Sequence, residues 1–270
     1  MKTFILTFAS LIVLIIINFP ILWIAISSFK TRDDLLTIVF KPFFKPTLGN
    51  FIDLISYFDF LDYLRNSLII ASSSTIIVLI LSILGGYALA RLKFKGKETL
   101  AFWILSIRML PPWIAGIAMY IIAAKLGFLN TLFIVIVMHS VINLPLGIWL
   151  MTGYIASIPK EIEEGAIIDG CEPIQIIRYI VTPLAAPGIA AVAILSFLFS
   201  WNEFIFGFLL TYTKAARPVT VLATQLMTEF EIHWGPILSL GTTLLIPAII
   251  FAIFAQKYIV SGLTLGAVRG

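Results

Sequence analysis

Long stretches without a charged residue are the feature that most constrains this chain. Residues 3–29 contain no Asp, Glu, Lys or Arg, and neither do residues 66–90. Of the 270 residues, 60% are hydrophobic and 12% are charged, whereas soluble domains carry about 45–50% and about 25%. A soluble fold would leave large apolar patches in water. The composition therefore argues against a soluble enzyme, a nucleic-acid-binding protein and a disordered regulator, and it predicts a protein embedded in lipid.

Six stretches are long and apolar enough to cross a bilayer, which requires about 20 helical residues. We predict an all-α integral membrane protein that forms a single transmembrane domain over residues 1–270. Continuous apolar runs indicate helices, because barrel strands alternate in pieces of about ten residues. No cleavage pattern follows the first run, so we expect an uncleaved membrane helix there. The predicted spans are approximately 4–28, 67–90, 100–123, 131–154, 184–210 and 235–256.

Basic residues in the connecting loops predict the orientation of these spans. The loop after the third span holds only Lys125, whereas four basic residues lie in the short loop after the second span: Arg91, Lys93, Lys95 and Lys97. The positive-inside rule places the second loop in the cytoplasm, which puts both termini inside and residues 30–65 outside. The full tally of basic residues is nearly balanced, because five of them lie in residues 30–65. The predicted topology therefore depends on the short, dense loop.

The sequence lacks the motifs of common catalytic sites. It has no G-x-x-x-x-G-K-[ST] loop for nucleotide phosphates, no G-x-S-x-G and no H-E-x-x-H. One cysteine and two histidines are too few for a convincing metal site. We therefore predict no catalytic residue, no metal and no cofactor. The energy for any transport would come from a gradient or from a partner.

Prolines and polar residues within the spans point to a transporter. Pro111 and Pro112 interrupt the third predicted span, Pro145 the fourth and Pro247 the sixth. Freed backbone groups in lipid need protein or water partners, so broken helices are frequent in transporters. For any one of these prolines, a kink that serves only helix packing is as good an explanation as a role in transport.

Five polar residues are candidates for a substrate pathway: Arg108, His139, Asn143, Asn202 and Glu203. A charge inside a span usually faces protein or water. Arg108 either binds substrate hydroxyls or pairs with Glu203, and a structural pair explains both charges at least as well as substrate contact. His139 and Asn143 lie four residues apart on one helix face, where they either line a path or bond between helices.

The segment 159–183, between the fourth and fifth spans, is an unusually polar stretch on the predicted inner side. The three glutamates at its start, Glu161, Glu163 and Glu164, make an anionic lipid surface an unfavourable neighbour, so a protein partner with a basic or polar groove fits better. The pattern predicts two short helices. Their boundaries are Ser157 as the first cap, Pro159 in the first turn, Gly170 as the first end, Pro173 as the second start and Pro183 as the second end.

This segment resembles the EAA signature of permease subunits in binding-protein-dependent ABC importers, which reads roughly E-A-A-x-x-D-G and ends in L-P. The matching residues are Glu164, Gly165, Ala166, Asp169, Gly170 and Pro183. Residues 66–68, 87–91, 94–97, 108–112, 201–204 and 262–270 are also similar to the maltose-type carbohydrate permeases, so the resemblance covers nearly the whole chain. The sequence departs from the family at Gly165 and Cys171, where the family usually has Ala.

The resemblance implies a multi-pass permease subunit in the prokaryotic cytoplasmic (inner) membrane, which carries a sugar, an oligosaccharide or a polyol and is not itself an enzyme. Its expected partners are a dimer of cytoplasmic ATPase subunits, a second, usually non-identical permease subunit, an extracytoplasmic solute-binding protein, the sugar and the lipid bilayer, with no nucleic acid. Segment 159–183 would be a coupling helix docked on the ATPase, through Glu163, Glu164, Gly165, Ala166, Asp169, Gly170 and Pro183. An ABC permease for a non-carbohydrate solute and a gradient-driven secondary transporter stay open as alternatives.

Overall fold

The computed structural model describes residues 2–39, 41–228 and 231–267. The predicted all-α fold is confirmed, because the only strand-type pairing in these ranges is an isolated antiparallel bridge between Met227 and Ile232. Residues 268–270, the last three of the family-like tail, lie outside the described residues. The helices in chain order are α1 (Lys2–Ser27), α2 (Arg32–Leu36), α3 (Gly49–Tyr57), α4 (Phe60–Arg91), α5 (Lys97–Ser106), α6 (Pro112–Leu126), α7 (Leu132–Ala156), α8 (Lys160–Ile168), α9 (Pro173–Ile176), α10 (Thr182–Leu184), α11 (Ala186–Trp201), α12 (Ile205–Leu210), α13 (Val219–Gln225) and α14 (Trp234–Ala267).

Helices long enough to cross a membrane account for much of the chain. Within the described residues, four qualify individually: Leu6–Ser27, Phe60–Arg91, Leu132–Ala156 and Trp234–Phe251. Two bent pairs are further candidates, with Lys97–Met109 meeting α6 at 93° and Pro173–Leu184 meeting α11 at 81°. If each bent pair is one span, the total rises to six. The count of six and the individual span limits therefore stay predictions.

Prolines break some of these helices and not others. Pro111 and Pro112 separate a 3₁₀ turn, Ile107–Met109, from α6, and Pro112 occupies the first turn of α6. A residue that precedes proline is driven out of the α conformation, and Pro111 accordingly has ψ of 129°. Pro145 and Pro247 instead lie inside α7 and α14, so the prediction that they interrupt their helices is wrong. Membrane helices tolerate such prolines when neighbouring groups satisfy the freed carbonyls.

Packing divides the chain into two compact units, Met1–Leu61 with Leu222–Ala248, and Asp62–Val221 with Ile249–Gly270. In the first unit, residues 30–61 hold α2, α3 and the first two residues of α4. In the second unit, a buried apolar cluster joins α4, α7, α8, α9 and α11. Its members include Val78, Met151, Ile155, Ala166, Ile176 and Val192.

Close contact between α4 and α7 depends on a glycine in the second unit. A Cβ atom on Gly86 would lie 3.0 Å from the carbonyl carbon of Met151 and 3.0 Å from the nitrogen of Thr152. These are backbone atoms, so they could not rotate away as a flexible side chain would. Small residues allow membrane helices to approach in this way. The contact holds the end of α4 beside the end of α7. The segment 159–183, which the sequence predicts to couple the permease to the ATPase, begins there.

Candidate functional site

The first helix of the coupling segment begins differently from the prediction. Ser157 is the C-terminal cap of α7 rather than the N-cap of α8, and its Oγ donates to the Tyr154 carbonyl at 2.7 Å. A serine hydroxyl competes for nearby backbone carbonyls in this way, and Ser157 lies two positions too early to cap α8. Pro159 is the residue immediately before α8 and forms no side-chain cap. The predicted cap and the predicted position of Pro159 in the first turn are therefore both wrong.

A buried ion pair attaches α8 to the end of α4. Arg91 Nε donates to Glu163 Oε1 at 2.7 Å, and Arg91 Nη2 donates to the Ile158 carbonyl at 2.7 Å. The Tyr87 hydroxyl donates to Glu163 Oε2 at 3.2 Å. The side chains of Arg91 and Glu163 are only 8% and 7% exposed. Glu163 thus faces this chain's own α4 and is not available on the surface for a partner.

The opposite side of α8 is exposed and combines acidic and apolar groups. Glu164 and Gly165 lie on it, and Asp169 lies just beyond its end. Ile167 and Ile168 are 61% and 86% exposed. Ala166 instead faces inward and belongs to the buried cluster. The helix therefore presents an exposed face of carboxylates and isoleucines. Its opposite, inner face is held in place by the Arg91 ion pair and by the apolar cluster.

Gly170 ends α8 in a left-handed backbone conformation, at the position that the sequence predicts. Its φ is +85°, in the left-handed region that favours glycine. The Cys171 amide donates to the Ala166 carbonyl at 2.9 Å, and the Gly170 amide donates to the Ile167 carbonyl at 3.0 Å. These two bonds form a Schellman motif, which reverses the chain at a helix end. The prediction that the first helix ends at Gly170 is confirmed.

The second helix of the segment starts as predicted and continues beyond its predicted end. Pro173 is the first residue of α9, and the Glu172 amide donates to Gln175 Oε1 at 2.8 Å, as in a capping box. A π-helical turn, Ile177–Val181, follows, and Pro183 lies within α10. Pro183 therefore does not end the helix. A proline that follows a wider π turn can be accommodated, because that turn already departs from the regular bonding pattern.

Two of the pathway candidates, His139 and Glu203, meet in a polar network in the second unit. His139 is 1% exposed. Its Nδ1 lies 2.6 Å from Ser200 Oγ and its Nε2 lies 3.1 Å from Glu203 Oε2. Ser74 Oγ on α4 donates to Ser200 Oγ at 3.1 Å. The network links α4, α7 and α11, so its first effect is to hold three helices together.

Glu203 also fixes the break between α11 and α12. Its Oε1 accepts from the Ile205 amide at 2.8 Å, and its Oε2 accepts from the Phe206 amide at 3.0 Å. A carboxylate that binds free amides at a helix start is a stabilising cap. The Glu203 carbonyl accepts from the Thr220 hydroxyl at 2.7 Å, which attaches the start of α13. Glu203 thus has a structural explanation that needs no substrate.

Arg108 does not pair with Glu203, so that alternative of the sequence interpretation is wrong. Arg108 lies in the 3₁₀ turn before Pro111, it is exposed, and its guanidinium carbon lies 5.0 Å from the centre of the Phe199 ring. Cations over aromatic rings at this distance are weakly attracted. The helix break exposes Arg108, because α5 ends before the charge and α6 starts after it. Arg108 therefore stays a candidate for contact with a substrate or a neighbouring subunit.

The two asparagines differ in their surroundings. Asn143 is buried on α7, one turn after His139, and its side chain forms no hydrogen bond within the described part of the chain. Asn202 is exposed, and its Nδ2 donates to the Leu198 carbonyl at 2.8 Å. The Asn143 amide is not among the fully buried side-chain groups that lack a partner within the described residues, so both asparagines stay candidates for the pathway.

These contacts predict different effects for the two intramembrane charges. Replacing Glu203 with alanine removes a helix cap and the partner of a buried histidine, which should cost about 1–3 kcal/mol of stability. Replacing Arg108 with leucine removes only a cation–π contact and should leave the thermal stability of the purified protein nearly unchanged while impairing transport. Thermal unfolding followed by size-exclusion chromatography measures the first effect, and substrate uptake measures the second. Equal loss of folded protein in both variants would contradict this assignment.

Comparisons with known proteins identify the family of this chain. Residues 82–264 match the model of a family described as binding-protein-dependent transport system inner membrane component. The chain is 34% identical over its whole length to the trehalose/maltose transport system permease protein MalG of Thermococcus litoralis, of which 98% is covered. It is 30% identical to the diacetylchitobiose uptake system permease protein DasC of Streptomyces coelicolor, over 93% of this chain and 92% of that protein.

The fold is also known from a solved structure. A chain of a bacterial ABC transporter involved in the import of the acidic polysaccharide alginate superposes with a TM-score of 0.79 at 21% identity, over 95% of this chain and 96% of that chain. At this identity the likeness establishes the fold alone. The family match and the two close relatives establish more: the chain belongs to the family of binding-protein-dependent transport system inner membrane components, the permease subunits of ABC importers of the maltose type.

Proposed function

We propose that this chain is one of two permease subunits that together form the pathway of an ABC importer for a sugar, an oligosaccharide or a polyol. ATP hydrolysis takes place in a dimer of separate cytoplasmic subunits, and an extracytoplasmic binding protein delivers the substrate. The observation that carries the proposal is the exposed face of α8, whose inner face is fixed to α4 by the Arg91–Glu163 ion pair. The names of the relatives, which refer to trehalose, maltose and diacetylchitobiose, support a carbohydrate over other solutes. Membership of a binding-protein-dependent family speaks against a gradient-driven transporter.

Coupling runs through the two faces of α8. The exposed face, with Glu164, Ile167 and Ile168, enters a groove on the ATPase, where a carboxylate binds a basic side chain and the isoleucines bury apolar surface. The inner face, through Glu163, holds Arg91 at the end of α4. Movement of the docked helix when the ATPase dimer closes is passed to α4 through this ion pair. Glu163 is thus a positioning residue, and Glu164 is the contact residue.

A reconstituted system tests the function directly. The chain is produced together with its cognate second permease and ATPase subunits, inserted into liposomes and supplied with the cognate binding protein. We expect uptake of labelled trehalose or maltose that requires internal ATP, and no ATP hydrolysis by the purified chain alone, because the sequence has no phosphate-binding loop. Uptake driven by an ion gradient without the ATPase would contradict the proposal, as would hydrolysis by the isolated chain.

The proposed orientation puts Lys95 in the cytoplasm and Lys125 outside. Both residues are exposed, so each can be replaced with cysteine after the single native cysteine, Cys171, is changed to serine. A membrane-impermeant thiol reagent added to intact cells should label position 125 and not position 95, and inside-out vesicles should give the reverse. The parent without cysteine is the control for background. Labelling of position 95 in intact cells would overturn the topology and, with it, the cytoplasmic place of α8.

A further inference from the structure

A cavity of about 590 Å³, lined by polar, aromatic and aliphatic side chains, lies in the first unit, between α2, α3 and the start of α14. Its lining includes Arg32, Asp53, Tyr57, Glu231, His233 and Trp234. We propose that this cavity is a saccharide-binding site of the permease itself and that it takes one or two neutral sugar rings on the outer side of the membrane. The inference rests on the proposed function and orientation, and it concerns residues that lie outside the coupling segment and the polar network.

Hydrogen bonds fix the walls of the cavity. Asn50 Nδ2 on α3 donates to the Ser28 carbonyl at 2.8 Å and to the Lys30 carbonyl at 2.7 Å. Arg32 Nη2 on α2 donates to Glu231 Oε1 at 2.6 Å, which ties α2 to the segment before α14. A Cβ atom on Gly235 would overlap the Asn50 carboxamide, so α14 and α3 can approach this closely only at a glycine. Ligand sites are usually preformed cavities of about 300–1,000 Å³, and this one has fixed walls and a volume in that range.

The lining offers both kinds of surface that a sugar ring requires. Tyr57 and Trp234 are 77% and 48% exposed, so their rings can receive the apolar C–H face of a pyranose. The His233 ring is held edge-on to Phe58 with centroids 5.2 Å apart, which keeps the imidazole in place. Asp53 is exposed and forms no ion pair within the described residues. Its carboxylate is therefore free to accept hydrogen bonds from sugar hydroxyls.

Charge selects among hydroxyl-rich ligands. The lining contains one guanidinium, Arg32, and two carboxylates, Asp53 and Glu231. Glu231 already neutralises Arg32 through their ion pair. The three charged side chains sum to a negative formal charge, so a phosphate or a uronate would meet like charge. The negative charge does not weaken the binding of a neutral sugar, because sugar hydroxyls donate hydrogen bonds to carboxylates. A lipid headgroup with a net negative charge is disfavoured for the same reason.

The test is sugar binding by the assembled importer without its binding protein, in nanodiscs of zwitterionic lipid, with trehalose and maltose as probes and glucose 6-phosphate as the anionic comparison. Isothermal titration should give a dissociation constant on the order of 1 mM for the neutral sugars. Asp53→Asn and Trp234→Leu should each weaken binding at least about tenfold. Trp103→Phe, which changes an exposed tryptophan in the other unit, is the matched control and should bind like the wild type.

The outcomes separate this proposal from the function on which it rests. No binding at tens of millimolar, equal binding of glucose 6-phosphate, or unchanged binding by both cavity variants would overturn the site. ATP-driven sugar uptake by the same preparation would then still support the importer function. Conversely, sugar binding that the cavity variants abolish, in a preparation without ATP-driven uptake, would support the site and contradict the proposed function.

Discussion

Replacing Arg91 with methionine should uncouple the importer. The substitution leaves the Glu163 carboxylate buried without its counter-charge, since both side chains are less than one-tenth exposed. Removing one partner of a buried ion pair costs about 3–5 kcal/mol, which exceeds what the remaining Tyr87 hydrogen bond can supply. We expect α8 to detach from α4, and ATP hydrolysis stimulated by the binding protein to fall by at least about tenfold. The measurement is that stimulated hydrolysis in proteoliposomes, with ATPase retained on the purified complex as a second readout.

Two further variants make the Arg91 result specific. Lys93→Met removes a neighbouring, exposed positive charge and should keep wild-type coupling. The double variant Arg91→Met with Glu163→Met replaces both charges with apolar groups, which is often close to neutral for a buried pair, and should recover much of the lost stimulation. Wild-type hydrolysis in Arg91→Met would mean that the ion pair does not position α8. A double variant as inactive as the single one would mean that Arg91 has another role.

Much of this architecture could be predicted from hydropathy and local backbone rules. The apolar runs predict α1, α4, α7 and α14, because the bilayer length and the helical repeat both act along the sequence. Gly170 was predictable for the same reason, since its left-handed φ follows from local chemistry. The roles of Ser157 and Pro183 could not be predicted, because each residue lies where two helical elements meet. Ser157 bonds back to α7, and a π turn that the sequence does not announce carries the helix past Pro183.

Partners distant in sequence account for the remaining errors. Arg91 was interpreted as a determinant of orientation, but the structure pairs it with Glu163, 72 residues later. Tyr87 and Arg91 lie one helical turn apart at the end of an uncharged span, which places both on one helix face. This spacing was the only sign in the sequence that the two side chains share a polar partner. Nothing in the sequence indicated that Ser74 and Ser200 meet, because serines are common in membrane helices and their presence does not identify a partner. The alternative that paired Arg108 with Glu203 was wrong because a sequence shows which charges lie in a span and not which of them meet.

Replacing Gly170 with valine should also uncouple the importer, and here the cause is the backbone. No atom lies within 4 Å of a Cβ added at Gly170, so the substitution causes no clash. Its φ of +85° is the difficulty. The left-handed region costs an ordinary residue about 1–2 kcal/mol and a β-branched residue more. The chain should relieve this strain by opening the Schellman turn, which frees the end of α8 and turns Ile167 and Ile168 away from the ATPase.

Gly165 provides the matched control for Gly170→Val. It is also exposed and also has open space around a Cβ, but it lies inside α8 with an ordinary helical φ. Gly165→Ala should therefore strengthen the helix by up to about 1 kcal/mol and leave coupling intact. Both variants are compared by retention of the ATPase on the purified complex and by hydrolysis stimulated by the binding protein. If Gly170→Val keeps wild-type values in both, the aim of α8 does not depend on the turn, and coupling through this segment must be abandoned. Loss in Gly170→Val with retention in Gly165→Ala assigns the effect to the left-handed turn, because the two changes differ in backbone conformation far more than in surroundings.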